Sequence, residues 1–208
     1  MKVLIADDHK VVRLGLALIV KEEFPSAEIS QAGNASEVYQ HLRAHQFDLM
    51  LMDLKMPETD SLMMLEQILI IDPSLKVLII SLNPERIFAL RYLKSGAYGY
   101  VQKSEDDATI KKAIIKVSEG KKYMSEEVVE LMTEYLRNGN TSNPFGQLAK
   151  REFDVAMHLI NGLTPGEICQ LMDLQPPTVS TYKNRVFEKL NIKTIHELME
   201  MAKQNSII

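Results

Sequence analysis

Tryptophan is absent from this 208-residue sequence, and cysteine occurs only as Cys169. A single cysteine excludes an intrachain disulfide, which favours a reducing compartment. The apolar runs stay far below the roughly 20 residues that a membrane-spanning helix requires. A secretory signal is not expected either, because Asp7 and Asp8 follow Met1 after only a short apolar stretch. We therefore expect a cytoplasmic protein with no membrane partner.

An excess of positive charge is also lacking, and this bears on the choice of partner. The net charge of −4 arises within residues 1–147, whereas residues 148–208 are balanced. Nucleic-acid binding would therefore depend on where individual basic residues lie rather than on bulk charge. The hydrophobic fraction of 46% and the charged fraction of 25% are ordinary for a globular protein. At this length they favour two domains, each with its own core.

The first half of the sequence alternates short apolar runs with segments of helix length. The apolar runs are Val3–Ala6, Leu49–Met52, Val77–Ile80 and Tyr98–Val101, with a weaker one at Ala27–Ser30. Strands that are apolar throughout and alternate with helices indicate a parallel sheet that is covered on both faces. We predict an α/β doubly wound, five-stranded parallel sheet of the flavodoxin-like type.

Charged and hydroxyl side chains follow the predicted strands. They are Asp7 and Asp8 after the first strand, Asp53 after the third, Ser81 after the fourth and Lys103 shortly after the fifth. The carboxyl ends of parallel strands meet at one edge of the sheet, where such folds bind ligands. Two carboxylates about 4 Å apart repel by roughly 4 kcal/mol at an effective dielectric of 20, so the cluster requires a cation. Mg²⁺ fits, because it prefers carboxylates, waters and phosphate oxygens as ligands.

These residues together resemble the receiver domain of bacterial two-component response regulators. The resemblance covers residues 1–120 and includes the Asp7-Asp8 pair, the Asp53-Leu54-Lys55-Met56-Pro57 loop, Ser81 and the stretch from Gly96 to Lys103. It implies that a sensor histidine kinase transfers a phosphoryl group to Asp53, which acts as a carboxylate nucleophile. It also implies that Asp8, Asp53 and the backbone carbonyl of Lys55 bind Mg²⁺, with Asp7 assisting through water.

The same resemblance assigns roles to three further residues. Ser81 and Lys103 would hold the phosphoryl oxygens, and Tyr100 matches the aromatic switch position of the family. Two positions depart from the usual pattern. Ser61 stands where the family usually has glycine, and Ser104 stands where many relatives have proline. The hydroxyl of Ser104 is predicted to cap the next helix.

The sequence between the two halves has the composition of a connection. An amphipathic helix is predicted to begin at Ser125, and residues 138–144 are rich in asparagine and contain glycine and proline. We predict a receiver domain at 1–120, a linker with a short helix at 121–143 and a helical DNA-binding domain at 144–208.

The second half contains short helices and no evident strand. Thr164-Pro165-Gly166-Glu167 and Thr194-Ile195-His196-Glu197 are capping boxes that open two of these helices. A short turn joins the helix that ends at Met172 to a longer one that ends at Leu190, which is the helix-turn-helix pattern. A helical wheel separates an inward apolar face from an outward polar face in the longer helix. The outward residues are Ser180, Thr181, Asn184, Arg185 and Glu188.

The segment from Leu148 to Ala202 resembles the LuxR-type DNA-binding domain of the NarL/FixJ subfamily. The matching residues are Arg151-Glu152, Gly162, Glu167-Ile168, the stretch from Thr178 to Lys183, and Lys189-Leu190. The match implies a DNA-binding set in which Ser180, Thr181 and Asn184 face the bases of double-stranded DNA, while Lys183 and Arg185 face the backbone. Thr178 is included in this set.

Two further expectations concern the second half. Ala149 stands where the family usually has a serine or threonine that caps a helix, and such a cap contributes roughly 0.5–2 kcal/mol. A domain without net positive charge should bind DNA weakly as a monomer, so we expect a homodimer on paired half-sites. The apolar side of the last helix is the expected dimer face; its residues are Ile195, Leu198, Met199 and Ala202.

We interpret the chain as a phosphorylation-dependent transcription regulator of a two-component system and not as an enzyme. Three alternatives stay open. The protein could bind DNA without phosphorylation, it could be a Mg²⁺-dependent phosphatase with a flavodoxin-like fold, or its second half could be a helical protein-interaction module. The intact acidic set argues against the first alternative and the helix-turn-helix against the second. Steep salt dependence of DNA binding would exclude the third.

Overall fold

The parallel sheet forms as the apolar runs predict. A computed structural model describes residues 1–57, 59–138, 143–205 and 207. The chain divides into two compact units, Met1–Glu130 and Leu131–Ile208. Residues 139–142, within the predicted flexible boundary, lie outside the described part of the chain. None of the helices in the described ranges is long and apolar enough to cross a membrane.

The first unit is a five-stranded parallel sheet in the order β2-β1-β3-β4-β5. The strands are β1 (Lys2–Ala6), β2 (Glu28–Ala32), β3 (Leu49–Met52), β4 (Lys76–Ser81) and β5 (Gly99–Gln102). The helices between and after them are α1 (Lys10–Glu23), α2 (Ala35–Ala44), α3 (Ser61–Ile71), α4 (Glu85–Lys94) and α5 (Asp107–Ser118). This order confirms the predicted doubly wound fold.

Strands β1 and β3 are buried because, apart from Lys2 at the start of β1, all their residues are apolar. All four residues of β3 are buried, and so are the residues of β1 after Lys2. Since parallel strands covered on both faces cannot tolerate exposed polar groups within the layer, the first polar residues appear where the strands end. The sheet therefore delivers its polar side chains to its carboxyl edge.

A short extended segment continues the sheet beyond β5. Tyr123 pairs in parallel with Gly99, and its N–H donates to the carbonyl of Tyr98 at 2.8 Å. A Cβ on Gly99 would lie 2.8 Å from Leu78 Cδ1 and 3.0 Å from Tyr123 Cβ. Glycine at this position therefore permits the close approach of the segment around Tyr123.

The predicted cap of α5 is wrong. Helix α5 begins at Asp107, and the side chain of Asp106 accepts a hydrogen bond from the Thr109 N–H at 2.7 Å. The helix starts later in the Ser104-Glu105-Asp106-Asp107 stretch than predicted, so Ser104 lies two residues before the N-cap. A carboxylate at the helix N-terminus also interacts favourably with the helix dipole, so Asp106 serves as the cap.

The described residues of the second unit are helical, as predicted, and the division between the units falls within α6. The helices are α6 (Glu126–Asn138), a short 3₁₀ helix (Pro144–Gln147), α7 (Lys150–Ile160), α8 (Pro165–Met172), α9 (Pro176–Leu190) and α10 (Ile195–Gln204). The capping box at Thr164 is confirmed, because Thr164 and Glu167 each accept a hydrogen bond from the other's backbone N–H. Asp173 ends α8 in the left-handed conformation with φ 51° and makes the tight turn into α9.

Two of the four residues expected at a dimer face on α10 are not surface residues. Leu198 and Ala202 are fully buried within the second unit, where α10 packs against α7. Ile195, at the start of the helix, is 43% exposed. Leu198 and Ala202 therefore belong to the core of their own unit, which a short helical domain needs to bury enough apolar surface. A dimer contact through Ile195 and the half-buried Met199 stays a prediction.

Candidate functional site

Two buried carboxylates meet at the carboxyl edge of the sheet. The Asp7 N–H donates to the Ala32 carbonyl at 3.1 Å, and the Asp53 N–H donates to the Ala6 carbonyl at 2.8 Å. These backbone bonds extend the pairing by one residue beyond β1 and β3. Asp7 is 1% exposed and Asp53 is 3% exposed. The sheet therefore fixes both carboxylates side by side, as the sequence predicted.

Lys103 lies between these carboxylates. Its Nζ is 2.5 Å from Asp7 Oδ2 and 3.0 Å from Asp53 Oδ2. Its backbone N–H donates to the Ser81 carbonyl at 2.8 Å, which holds the residue beside the end of β4. The single ammonium group of Lys103 contacts two buried carboxylates, so it neutralises only one of their two negative charges. Burial raises the pKa of Asp53, and the nearby Lys103 ammonium opposes this increase.

Asp8 adds a third carboxylate with an oxygen that is available to a cation. Among the described residues, its buried Oδ1 receives no hydrogen bond of acceptable geometry and lies 2.6 Å from His9 Nδ1. Asp7, Asp8 and His9 place potential ligand atoms within 4.8 Å of one another. Hard carboxylate oxygens with surplus negative charge are the donors that Mg²⁺ prefers. These residues therefore fit a magnesium ion. Lys55, whose backbone carbonyl is the further predicted ligand, lies in the loop after β3, and its side chain is exposed.

Arg13 and His9 are residues of this edge that the sequence analysis missed. The Arg13 Nη1 donates to the carbonyl of Asp7 at 2.6 Å and to that of Asp8 at 3.3 Å. Its Nε donates to Gln31 Oε1 at 3.3 Å. Arg13 thereby ties the loop that carries the acidic pair to α1 and β2. The sequence offers one signal for this contact of Arg13, namely a basic residue about one turn into the helix that follows the acidic pair.

Ser81 and Tyr100 are brought together through the loop that follows β4. The Ser81 Oγ accepts from the Asn83 N–H at 3.2 Å, and the Tyr100 hydroxyl donates to the Asn83 carbonyl at 2.9 Å. Both side chains are buried, and burial raises the pKa of Tyr100 well above its ordinary value. The Tyr100 ring also lies 6.4 Å from the ring of Tyr92 on α4. The predicted phosphoryl-binding and switch positions therefore belong to one connected group.

The predicted faces of α9 are confirmed by the exposure of its residues. Val179, Val186 and Leu190 are buried. The residues on the opposite side are exposed; they are Ser180, Thr181, Asn184, Arg185 and Glu188. Thr178 and Lys183 lie at the borders and are partly exposed. The Thr181 hydroxyl donates to the Pro177 carbonyl at 2.9 Å, so it retains its acceptor capacity and its methyl group for a partner.

Lys189 at the end of α9 has a structural partner. Its Nζ lies 2.7 Å from Glu152 Oε2, and the buried Glu152 also accepts from the Ala149 N–H at 2.8 Å. The Gln147 side-chain amide donates to the Lys189 carbonyl at 2.8 Å. These bonds fix the end of α9 against α7 and the short 3₁₀ helix. The exposed face of α9 is thus presented on a rigid support.

An acidic sheet edge in one unit and a presented helix-turn-helix in the other define the class of DNA-binding response regulators. Residues 3–115 match the response regulator receiver domain family, and residues 146–202 match the luxR family of bacterial regulatory proteins. The second match contradicts a general protein-interaction module. Oxygen regulatory protein NreC of Staphylococcus carnosus is 31% identical over 215 residues, covering 100% of this chain and 99% of that protein. NreC of Staphylococcus aureus strain MRSA252 shows the same identity and coverage.

Solved structures share the fold. RcsB of Salmonella enterica serovar Typhimurium, bound to promoter rprA with the phosphomimetic BeF3−, has a TM-score of 0.81 and 21% identity, with 98% of each chain covered. The response regulator ChrA of a heme-sensing two-component system has a TM-score of 0.51 and 24% identity, covering 100% of this chain and 98% of that one. This chain belongs to the response regulator receiver family with a LuxR-type DNA-binding domain, and is a phosphorylation-dependent two-component transcription regulator. A sensor histidine kinase and double-stranded DNA are its partners.

Proposed function

We propose that Asp53 is the residue that accepts the phosphoryl group from the histidine kinase. The observation that carries this proposal is the burial of Asp53 beside Asp7, with Lys103 3.0 Å away. A carboxylate oxygen of Asp53 attacks the phosphorus of a phosphorylated histidine. The new O–P bond forms as the P–N bond breaks, and the histidine nitrogen keeps the electron pair and takes up a proton.

The surrounding residues would prepare Asp53 for this step. The Asp53 Oδ1 accepts from the Leu54 N–H at 2.8 Å, which leaves Oδ2, now beside Lys103, to reach the phosphorus. The Lys103 ammonium then turns to the phosphoryl oxygens and offsets their charge. Ser81 donates its hydroxyl to another phosphoryl oxygen. Asp7, Asp8, Asp53 and the Lys55 carbonyl would hold Mg²⁺, which when bound neutralises carboxylate and phosphoryl charge.

Turning of the Ser81 hydroxyl would change the group that includes Tyr100. The Asn83 N–H donates to Ser81, and the Asn83 carbonyl accepts from Tyr100, so a change at Ser81 alters the contacts of Tyr100. A doubly charged phosphoryl group at Asp53 supplies the free energy that favours one arrangement over the other. We propose that this rearrangement controls DNA binding.

The exposed face of α9 is the proposed DNA-reading surface. Thr178, Ser180, Thr181 and Asn184 carry short hydrogen-bonding side chains that suit base edges in the major groove. Lys183 and Arg185 would contact phosphates. Because the second half carries no net positive charge, a homodimer on paired half-sites is proposed to supply the affinity. One RcsB structure contains two dimers bound to two parallel DNAs, which supports this arrangement by analogy.

The remaining assignments follow from this function. We propose a cytoplasmic location, because the protein acts on DNA. We propose that it has no catalytic turnover of its own, since relatives of this family are regulators. The limits 1–120 for the receiver domain, 121–143 for the linker and 144–208 for the DNA-binding domain stand as part of this proposal.

Asp53 can be tested with acetyl phosphate, a small phosphodonor, in the presence of magnesium chloride. We expect the intact mass of the wild-type protein to increase by one phosphoryl group, and we expect no increase for Asp53→Asn. Asp48→Asn is a matched control, because Asp48 is exposed at the other end of β3 and should leave the gain intact. Oligomer size and DNA footprints of the same samples would show whether the phosphoryl group controls binding. An unchanged gain in Asp53→Asn would disprove the assignment, and multiple turnover of the phosphodonor would favour the phosphatase.

A further inference from the structure

Two hydroxyl groups connect α3 with α4 inside the first unit. Ser61 Oγ lies 2.8 Å from the Tyr92 hydroxyl oxygen. Tyr92 is only 5% exposed. Ser61 is half-buried, so water has only partial access to this hydrogen bond when one partner is removed or displaced. We call the Ser61–Tyr92 pair the hydroxyl clamp.

The α3 side of the clamp is fixed to the loop that leads away from Asp53. Ser61 is the first residue of α3. The Asp60 carboxylate caps this helix and accepts from the Leu62 N–H at 3.1 Å and from the Met63 N–H at 2.9 Å. The cap restricts the backbone on which the Ser61 hydroxyl is carried. The clamp therefore holds α4 to the capped first turn of α3, and the loop before this turn begins at Asp53.

The α4 side of the clamp is connected to the proposed phosphoryl-binding serine. The ring of Tyr92 lies 6.4 Å from the ring of Tyr100 at an angle of 50°. The Tyr100 hydroxyl and the Ser81 Oγ bond respectively to the carbonyl and the N–H of Asn83. Helix α4 starts two residues later, at Glu85. A displacement at Ser81 therefore reaches α4 both through Tyr100 and along the chain.

Phosphoryl binding at Asp53 would move α4, whereas the clamp holds α4 in its present position. To donate to a phosphoryl oxygen, the Ser81 side chain would have to swing toward Asp53, and this displacement of Oγ would lengthen the 3.2 Å hydrogen bond that it accepts from the Asn83 N–H. The turn before α4 then adjusts to keep this half-buried N–H hydrogen-bonded. Close-packed elements change between discrete arrangements rather than deforming gradually, so α4 would move as a unit. The clamp resists this movement because it fixes α4 at Tyr92.

We propose that Ser61 and Tyr92 are positioning residues that hold α4 and Tyr100 in the unphosphorylated arrangement and thereby slow phosphorylation. This inference rests on the proposed role of Asp53. The rate of phosphorylation follows the fraction of protein in the receptive arrangement. Loss of one hydrogen bond of this kind changes a two-state equilibrium by about two- to tenfold. The phosphorylation rate should change by the same factor.

The test compares full-length variants in acetyl phosphate and magnesium chloride, with the phosphorylated fraction followed by intact mass. We expect Tyr92→Phe and Ser61→Ala each to raise the initial rate about two- to tenfold. The double variant should be no faster than the faster single variant, because both substitutions remove the same bond. Ser61→Thr restores a hydroxyl and should return the rate toward that of the wild type. Tyr39→Phe is the matched control, because it removes a tyrosine hydroxyl that donates to Gln67 of α3 at 2.6 Å, outside the clamp.

The outcomes separate the clamp from the role of Asp53. If the wild type is phosphorylated but folded Tyr92→Phe and Ser61→Ala react at or below its rate, the clamp is refuted and Asp53 keeps its role. Additive gains in the double variant, or an equal gain in Tyr39→Phe, would also refute it by indicating general loosening. A wild type that takes no phosphoryl group refutes the proposed function and the clamp with it. Thermal unfolding checks the fold, and if one single variant is unfolded, the other decides.

Discussion

Replacement of Asp53 by asparagine should stabilise the first unit at neutral pH, although it removes an ion-pair partner of Lys103. At an effective dielectric of 20, attraction to a neighbouring ammonium and repulsion from a neighbouring carboxylate each amount to about 4 kcal/mol at about 4 Å. For Asp53 the attraction comes from Lys103, and repulsion from Asp7 offsets part of it. The cost of burying the carboxylate is larger still, because the pKa of Asp53 is raised on balance. We expect Asp53→Asn to raise the free energy of unfolding by about 1–3 kcal/mol.

The dependence on pH has a defined sign. Burial raises the pKa of Asp53 in the folded protein, so the folded state binds a proton more readily than the unfolded state does. Below the unfolded-state pKa, near about 4, the wild type is protonated in both states and the advantage of the variant should vanish. As the pH rises through the higher folded-state pKa, the wild type loses stability relative to Asp53→Asn. The difference should therefore grow from acidic to neutral pH.

Calorimetric unfolding with a chelator, from about pH 4 to about pH 8, would measure this difference. Asp48→Asn supplies the control, because it removes an exposed carboxylate from the same strand region. Magnesium at ten times its dissociation constant should add about 1.4 kcal/mol to the wild type and less to Asp53→Asn. An Asp53→Asn protein that is less stable than the wild type at neutral pH would refute the reasoning, since the ion pair with Lys103 would then outweigh burial.

Four further predictions concern the second unit. Ala149→Ser should supply the missing cap of α7 and raise the melting temperature of this unit, corresponding to about 0.5–2 kcal/mol. Lys189→Met should leave the buried Glu152 without its ammonium partner and lower stability by about 1–2 kcal/mol in urea unfolding, an amount reduced because Lys189 is partly exposed. In salt titrations of DNA binding, Arg185→Ala should reduce the slope of log K against log salt by about 0.9. Asn184→Ala should leave that slope unchanged and alter base preference by about 1–3 kcal/mol.

The sheet and its edge were predictable because their signals are local. A fully apolar run such as Leu49–Met52 can only be a buried strand or part of a buried helix, and the polar residues after it mark where the run ends. The strand order then brings Asp53 and Lys103 together, although 49 intervening residues separate them in the sequence. A parallel arrangement gives every strand the same exit edge, so this proximity needed no knowledge of side-chain packing.

Contacts that depend on packing between helices could not be predicted in this way. Ser61 was visible only as a departure from the usual glycine, and nothing in the sequence paired it with Tyr92 on another helix. Leu198 and Ala202 of α10 were wrongly expected at a dimer surface, because periodicity identifies an apolar face but not what covers it. Leu198 shows that this face is covered by the unit's own core.

The pairing of Tyr123 with Gly99 affects how the first unit can be studied in isolation. A protein shortened to end at residue 120 would lack this segment and leave the Tyr98 carbonyl, at the start of the outer border of β5, without its partner. Open strand borders recruit other strands, so such a fragment should self-associate as its concentration rises. Ending the fragment after Glu130 would retain the segment around Tyr123, and this longer fragment should stay monomeric in light scattering.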